Sequence, residues 1–142
     1  MLDRDALQAL IPHKLGMCLL DEVVAWDDGR IQCRSRSHAA PDNPLRHGGR
    51  LRSVHLCEYG AQAMAVHGGL LARAQGGIAR PGLLVSLRGV SLARAHVEDL
   101  DAALDVDAEL LLASAASWQY RFRVCCGTLE LADGRAAVML LP

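Results

Sequence analysis

The fold is decided by residues 54–74, VHLCEYGAQAMAVHGGLLARA, which predict one long helix that is apolar on nearly every side. A helix of about 20 residues spans about 30 Å, the width of a small domain. A helix with apolar residues on most faces has to be wrapped by the rest of the chain. Glu58, Gln62 and His67 interrupt this pattern. Because an unpaired polar group in an apolar interior costs a few kcal/mol, each of them needs either a packing partner or a chemical role.

Strand-like patterns lie on both sides of this helix. Residues 17–36 alternate around Asp28-Gly29, which is a strong hairpin signal, and a short helix within residues 3–10 precedes them with Asp3 as its N-cap. Residues 38–53 hold two prolines and two glycines and predict a long loop. Four further strands are predicted at 83–94, 104–114, 118–131 and 135–141, with residues 132–134 as the turn of the last hairpin.

This order of elements predicts an α+β fold in which about six antiparallel strands wrap around one long central helix. The chain of 142 residues is long enough for one hydrophobic core, so we expect a single domain over residues 1–142. The open edges of such a sheet predict pairing between two subunits.

The composition excludes several classes of protein. Charged residues make up 22% of the chain and the formal net charge is -1, which gives no support for binding to nucleic acid or to a membrane surface. The five cysteines form an odd set without a C-x-x-C motif, which is typical of reduced thiols in a cytoplasmic protein. The first ten residues, MLDRDALQAL, lack the pattern of a signal peptide, and we expect a cytoplasmic protein without membrane insertion.

Four stretches together resemble a known family, the hotdog-fold 3-hydroxyacyl-[acyl-carrier-protein] dehydratases, and within it the divergent aryl-polyene-type branch. EYGAQAMAVHG (58–68) is similar to the E-x-x-AQ signature of the family's central helix, and IPHKLGMCLLDEVV (11–24) is similar to its opening. LLVSLRGVSLARAHV (83–97) and GTLELADGRAAVMLL (127–141) resemble the strands that follow the helix and the last hairpin.

The resemblance implies a hotdog fold and a homodimer, or an oligomer built from dimers, whose two sheets join and whose acyl tunnels lie at the dimer interface. It implies a 3-hydroxyacyl thioester as substrate, carried by acyl carrier protein or coenzyme A, in fatty-acid or polyene lipid biosynthesis. Water is then lost between the second and third carbons. No metal or redox cofactor is expected, since the substrate itself carries the phosphopantetheine or CoA.

Elimination of water needs an acid for the departing hydroxyl and a base for the proton beside the carbonyl. Glu58 fits the acid, because burial would keep its carboxyl protonated, and Gln62 at i+4 is a candidate to hold it or to serve packing alone. The family's base is a histidine in a GHFPxxPxxPG loop; that motif is absent, and a count without gaps puts Pro44 at the position. Two substitutes remain open, His55 on the same helix face as Glu58, and His47 in the preceding loop.

The loop offers candidates for substrate binding. Gly48 and Gly49 could donate backbone amides to the thioester, or form only a turn. Arg46, Arg50 and Arg52 could meet a phosphate or the acidic surface of a carrier protein, or form only a solvated rim. Among the other histidines, we expect structural roles for His67 and His13, and surface positions at strand ends for His38 and His96.

Two other functions fit the same residues. A hotdog thioesterase would use Glu58 or its neighbourhood to activate water against the thioester carbonyl. A non-catalytic acyl-binding subunit would have kept the tunnel and lost the usual histidine base.

Overall fold

The computed structural model describes residues 1–10, 17–77 and 82–141 of the chain. It begins with a short helix, α1 (Arg4–Gln8), and the Asp3 carboxylate accepts a hydrogen bond from the Ala6 amide at 3.0 Å, which confirms the predicted N-cap. All five cysteines are free thiols. His13, for which we expected a structural role, lies outside the described residues.

Six antiparallel strands form one sheet in the order β1-β2-β4-β5-β6-β3. They are β1 (Glu22–Asp27), β2 (Arg30–Ser35), β3 (Gly82–Leu92), β4 (Leu104–Ala113), β5 (Ser117–Cys126) and β6 (Leu129–Leu140). The predicted first hairpin is confirmed, since Asp27 pairs with Arg30 across the Asp28-Gly29 turn. The six strands and the single long helix confirm the predicted fold class.

The long helix, α2 (Leu56–Ala74), packs against β2, β4, β5 and β6. We call the sheet face toward α2 the inner face and the opposite face the outer face. At Gly60 the helix lies very close to the sheet, because a Cβ there would be 2.8 Å from the ring of Phe122. Although α2 has 19 residues, no helix in the described part of the chain is long and apolar enough to cross a bilayer.

The last hairpin differs from the sequence prediction, which placed its turn at residues 132–134. The turn lies instead at Gly127, whose φ of 61° suits glycine, and β6 runs without a break through Gly134. A Cβ at Gly134 would lie 3.0 Å from the ring of Phe122. Gly134 therefore serves close packing on the inner face rather than a turn.

The strand β3 is an open edge of the sheet. Within the described residues it pairs with β6 alone. Its inner-face side chains Leu84, Leu87 and Leu92 remain 41%, 41% and 40% exposed. A long apolar edge strand is normally paired or covered, because its free amides and carbonyls attract another strand. The single chain thus leaves both an edge and an apolar surface unsatisfied at β3.

Candidate active site

One side of α2 faces away from the sheet, and Glu58 lies on it. Residues at spacings of three and four form this side, starting just before the helix, and each is half-buried or exposed: Val54, Glu58, Ala61, Ala65, Gly68 and Ala72. We call this set the open stripe. Glu58 is the sole acidic residue of α2, and in the described chain its carboxylate makes no hydrogen bond or ion pair. The open stripe therefore combines one free carboxylate with small, mostly apolar neighbours.

The expected burial of Glu58 is wrong for the single chain, where its side chain is partly exposed. The sheet covers the opposite side of α2, so the open stripe has no cover of its own. Removal of this carboxyl from water accordingly depends on a second surface placed over the stripe.

His55 immediately precedes α2 and is also partly exposed. It lies three residues before Glu58, a spacing that brings side chains together on a helix surface. Its own side chain does not cap the helix. In the described chain His55 and Glu58 share no hydrogen bond, so both groups are available to other partners.

Of the two roles expected for Gln62, its contacts show the structural one and not a hold on Glu58. Its Oε1 accepts a hydrogen bond from the Leu19 amide at 2.8 Å, and its Nε2 donates to the Met17 carbonyl at 2.6 Å. Both ends of the amide are therefore used to fasten the segment before β1 to α2. This pairing is between residues more than forty positions apart, and the sequence holds no local signal for it.

His47 lies at a tight hairpin turn on the surface. His47 and Arg50 exchange backbone hydrogen bonds of 2.9 and 3.1 Å across Gly48 and Gly49, whose φ angles are 60° and 77°. Two central residues with positive φ define the hairpin turn that favours glycine. The turn explains both glycines, and the exposed ring of His47 makes no contact with Glu58 within the described chain.

The three loop arginines do not form one cluster. The guanidinium of Arg50 faces His96 Nδ1 at 3.2 Å and Glu98 at 3.7 Å. The guanidinium of Arg46 turns inward and donates to the His38 carbonyl at 3.4 Å. Only the side chain of Arg52 is exposed without a hydrogen bond or salt bridge to another described residue.

A buried polar network that the sequence did not reveal anchors the loop to α2. The hydroxyl of Tyr59 lies 2.7 Å from Ser37 Oγ and accepts a hydrogen bond from Asn43 Nδ2 at 3.1 Å. Ser37 Oγ also donates to the Leu19 carbonyl at 2.7 Å. The network fixes the start of the loop beside the first turn of α2, next to Glu58.

The prediction that His38 lies at the surface is wrong, because its side chain is fully buried. Its Nε2 lies 2.8 Å from the Leu100 carbonyl, so Nε2 carries the proton and Nδ1 is an acceptor. Burial lowers the pKa of His38, which keeps the ring neutral. Nδ1 of His38 and Nε of Arg46 are both buried without a partner in the described chain.

The expected structural role of His67 agrees with its contacts. Its Nε2 donates to the Asp27 carbonyl at 2.8 Å, and its Nδ1 accepts from the Tyr120 hydroxyl at 2.7 Å. The side chain is fully buried, and this burial lowers the pKa of His67. Both ring nitrogens are satisfied, so His67 ties α2 to the sheet and takes no part in the open stripe.

Comparison with solved structures places this fold among the hotdog proteins. The dehydratase heterocomplex ApeI:P from Xenorhabdus doucetiae matches with a TM-score of 0.86 at 22% identity, over 96% of this chain and 91% of that chain. A hypothetical thioesterase with coenzyme A from Streptococcus pneumoniae matches at 0.62 and 12% identity, over 84% of each chain. The conserved protein PA5202 from Pseudomonas aeruginosa matches at 0.59 and 21% identity, over 84% of this chain and 87% of that chain.

No curated protein matches the sequence. The ApeP-like family, described as ApeP dehydratase, matches residues 5–141. This match covers nearly the whole chain and confirms the resemblance drawn from the E-x-x-AQ helix and its flanking strands, including the dehydratase activity. The chain belongs to the ApeP-like family of dehydratases.

Proposed function

We propose that the chain removes water from 3-hydroxyacyl thioesters, with Glu58 as the acid, in a site that a second hotdog chain completes across β3. The observation that carries the proposal is the position of Glu58, the sole carboxylate of α2, on the open stripe among small side chains. An acyl chain laid along the stripe would pass Ala61, Ala65 and Gly68 without a bulky side chain in its path.

The reaction requires three groups around the substrate. A base takes the proton from the second carbon, and the electron pair of that bond forms the double bond to the third carbon. Glu58 gives its proton to the hydroxyl on the third carbon, which leaves as water. Backbone amides or other donors stabilise the charge that develops on the thioester oxygen. Every step uses side chains and backbone groups alone, which is why we propose that no metal or redox cofactor takes part.

His55 is the base that the geometry favours, because it lies three residues from Glu58 next to the open stripe. His47 remains the second candidate, since an exposed hairpin turn can reach a neighbouring chain. Neither His55 nor His47 has to be buried before substrate covers the open stripe.

The thioester is proposed to arrive on a phosphopantetheine arm, carried by acyl carrier protein or coenzyme A. Arg52 supports this, since it is exposed without an ionic partner in the described chain and lies shortly before α2. Arg50 is less suited to the role, because Glu98 already faces its guanidinium.

A second chain is proposed to pair with β3 and to cover the open stripe. The free edge and the exposed Leu84, Leu87 and Leu92 support this arrangement. The related ApeI:P protein is a heterocomplex, so both a second copy and a different hotdog chain are candidates for the partner.

The test is incubation of the purified protein with a 3-hydroxyacyl carrier protein, with mass spectrometry of the enoyl product. We expect Glu58→Gln to lower turnover at least about a hundredfold, the usual loss for a general acid. Glu130→Gln, which neutralises an outer-face carboxylate paired with Arg123, is the matched control and should keep full activity.

Three results would contradict the proposal. Full activity of Glu58→Gln would remove Glu58 from the site. Release of free thiol instead of enoyl product would indicate a thioesterase. Tight binding of the acyl carrier without turnover would indicate the non-catalytic subunit.

A further inference from the structure

A row of arginines crosses the outer face of the sheet. Arg88 in β3 lies directly opposite Arg135 in β6, and Arg135 lies directly opposite Arg121 in β5. Directly opposite residues of antiparallel strands project from the same face, with their Cβ atoms about 5 Å apart. We call these three residues the arginine row. All three are exposed, so their charges face the solvent.

The arginine row has one carboxylate for three cations. Arg121 donates two hydrogen bonds to Asp133, of 3.1 and 2.8 Å. These hydrogen bonds lower the pKa of Asp133, so its carboxylate is ionised at neutral pH and already neutralised by Arg121. The side chains of Arg88 and Arg135 make no hydrogen bond or salt bridge with any described residue. Two neighbouring guanidinium groups are therefore free to bind an anion.

The arginines of β2, on the other half of the outer face, are paired. Arg30 lies 3.2 Å from Asp107, and Arg34 lies 3.4 Å from Asp105. Like charges directly opposite each other on neighbouring strands are destabilising. Unpaired arginines in the row accordingly lower the stability of the chain alone, and an anion bound between them would remove this repulsion.

A bulge in β3 brings a hydroxyl group to the arginine row. Gly89 and Val90 of β3 together lie opposite the single residue Gly134 of β6. Residues three positions apart in a regular strand point to opposite faces, but the extra residue of the bulge puts Ser91 on the same face as Arg88. Gly89 has a φ of 57°, and a Cβ there would meet no atom within 4 Å. The space over the bulge is therefore open.

The arginine row and the bulge line one depression. Its volume is about 500 Å³, and its lining includes Ser91 and Asp133. Sites for small molecules in proteins have volumes of about 300 to 1,000 Å³, so the depression has room for an organic group beside an anion. Pairing of another strand with β3 would use the backbone at its edge and leave the side chains of the outer face uncovered.

We propose that the arginine row binds a phosphate group carried by a small organic molecule. The planar guanidinium of arginine donates two parallel hydrogen bonds to phosphate oxygens, and Arg88 and Arg135 are both free to do so. A phosphate monoester carries about two negative charges at neutral pH, which matches these two unpaired cations, whereas one carboxylate would balance only half of their charge. Ser91 supplies a further donor beside them.

This inference does not rest on the proposed dehydration. The arginine row lies on the outer face of the sheet, whereas α2, which carries Glu58, packs against the inner face. Inorganic phosphate and a phosphate ester share the same charged group, and the volume of the depression favours the ester.

The test is isothermal titration calorimetry of the full chain with adenosine 3′,5′-bisphosphate as the probe. We expect the probe to bind wild type, and its Kd to rise at least about tenfold in Arg88→Gln and in Arg135→Gln, because each variant loses charge-assisted hydrogen bonds. Raising the salt from about 0.1 to 1 M shortens the Debye length from about 10 to 3 Å, so binding should weaken. Adenosine, which lacks phosphate, should not bind.

Arg30→Gln is the matched control, because Arg30 lies on the same face and already pairs with Asp107. This variant should bind the probe as tightly as wild type does. Arg88→Lys keeps the charge but loses the planar fork of donors, and it should bind more weakly than wild type. Without the probe, Arg88→Gln should be at least as stable to urea as wild type, because the substitution removes a repulsion between like charges. If Arg88→Gln does not fold, Arg135→Gln provides the same comparison.

The absence of probe binding to wild type would overturn the inference. An unchanged Kd in both Arg88→Gln and Arg135→Gln, or an equal loss in Arg30→Gln, would do so as well. Inorganic phosphate that binds as tightly as the probe would overturn the assignment to an ester. Turnover enters none of these measurements, so the inference and the proposed dehydration can fail separately.

Discussion

At the residue scale, two buried histidines make stability depend on pH. His38 and His67 are both fully buried, and burial lowers the pKa of each below its value in the unfolded chain. Well above pH 6.5 both are neutral in both states and contribute no pH dependence. As the pH falls through 6.5, the two histidines bind protons in the unfolded chain but stay neutral in the folded chain. The free energy of unfolding therefore falls, by up to about 1.4 kcal/mol per pH unit for each histidine, until the folded pKa is passed.

Urea unfolding at pH 7.5, 6.0 and 5.0 measures this slope. His67→Gln should lower stability by about 1 to 3 kcal/mol at pH 7.5, because it disturbs the bonds to Tyr120 and Asp27. The variant should also weaken the pH dependence of the free energy of unfolding, because only the contribution of His38 remains. His47→Gln, at an exposed site, should keep the wild-type slope. Parallel slopes for wild type and His67→Gln would contradict the explanation.

At the element scale, the distance between α2 and the sheet depends on Gly60. An alanine there gains up to about 1 kcal/mol of helix propensity, but its Cβ would lie 2.8 Å from the buried ring of Phe122. Overpacking of a dense core costs about 1 to 3 kcal/mol. We expect Gly60→Ala to lower the free energy of unfolding by about 1 kcal/mol or more, as measured by urea denaturation.

Gly68→Ala is the control in the same helix. The nearest atom to a Cβ at Gly68 is Cζ3 of Trp118 at 3.8 Å, an ordinary contact. This variant should be as stable as wild type or gain up to about 1 kcal/mol. An equal loss of unfolding free energy in both variants would show that it arises from the backbone and not from contact with the Phe122 ring.

The elements that local residues determine were predictable, and those that distant contacts determine were not. The Asp28-Gly29 turn and the Asp3 cap depend on neighbours in the chain, and both were predicted. The turn expected near Gly134 was wrong, because that glycine is needed for contact with Phe122, which no local pattern reveals. His38 was misplaced for the same reason, since its cover comes from the segment around Leu100.

The site was predictable only in part, because the local helix pattern places some of its residues and distant contacts determine the roles of others. The helix pattern predicts that Glu58 and His55 lie near each other, and the structure places both at the start of α2, three residues apart in the chain. The role of Gln62 depends on hydrogen bonds to the segment before β1, more than forty residues away in the chain. The cover that we propose for the open stripe comes from a second chain, which is beyond what one sequence encodes locally.

At the scale of the whole molecule, the single chain leaves apolar surface uncovered. The sheet and α2 bury one core, whereas β3 and the open stripe remain exposed on surfaces that apolar residues dominate. Exposed apolar surface of this kind marks an interaction site. Folding of the chain and assembly of the site should therefore respond to different substitutions.

Leu87→Asp separates the two processes. Leu87 is 41% exposed on the inner face of β3, so a charge there has little core to disrupt but would be buried in any assembly across this edge. An unpaired buried charge is strongly unfavourable. We expect Leu87→Asp to keep the wild-type far-UV circular dichroism and to sediment as a monomer. Its rate of dehydration should fall at least about tenfold.

Leu129→Asp introduces the same charge at a 44% exposed leucine at the start of β6 and should keep both assembly and activity. Wild-type assembly by Leu87→Asp would show that the second chain docks elsewhere, and unfolding of the variant would show that β3 belongs to the folding core.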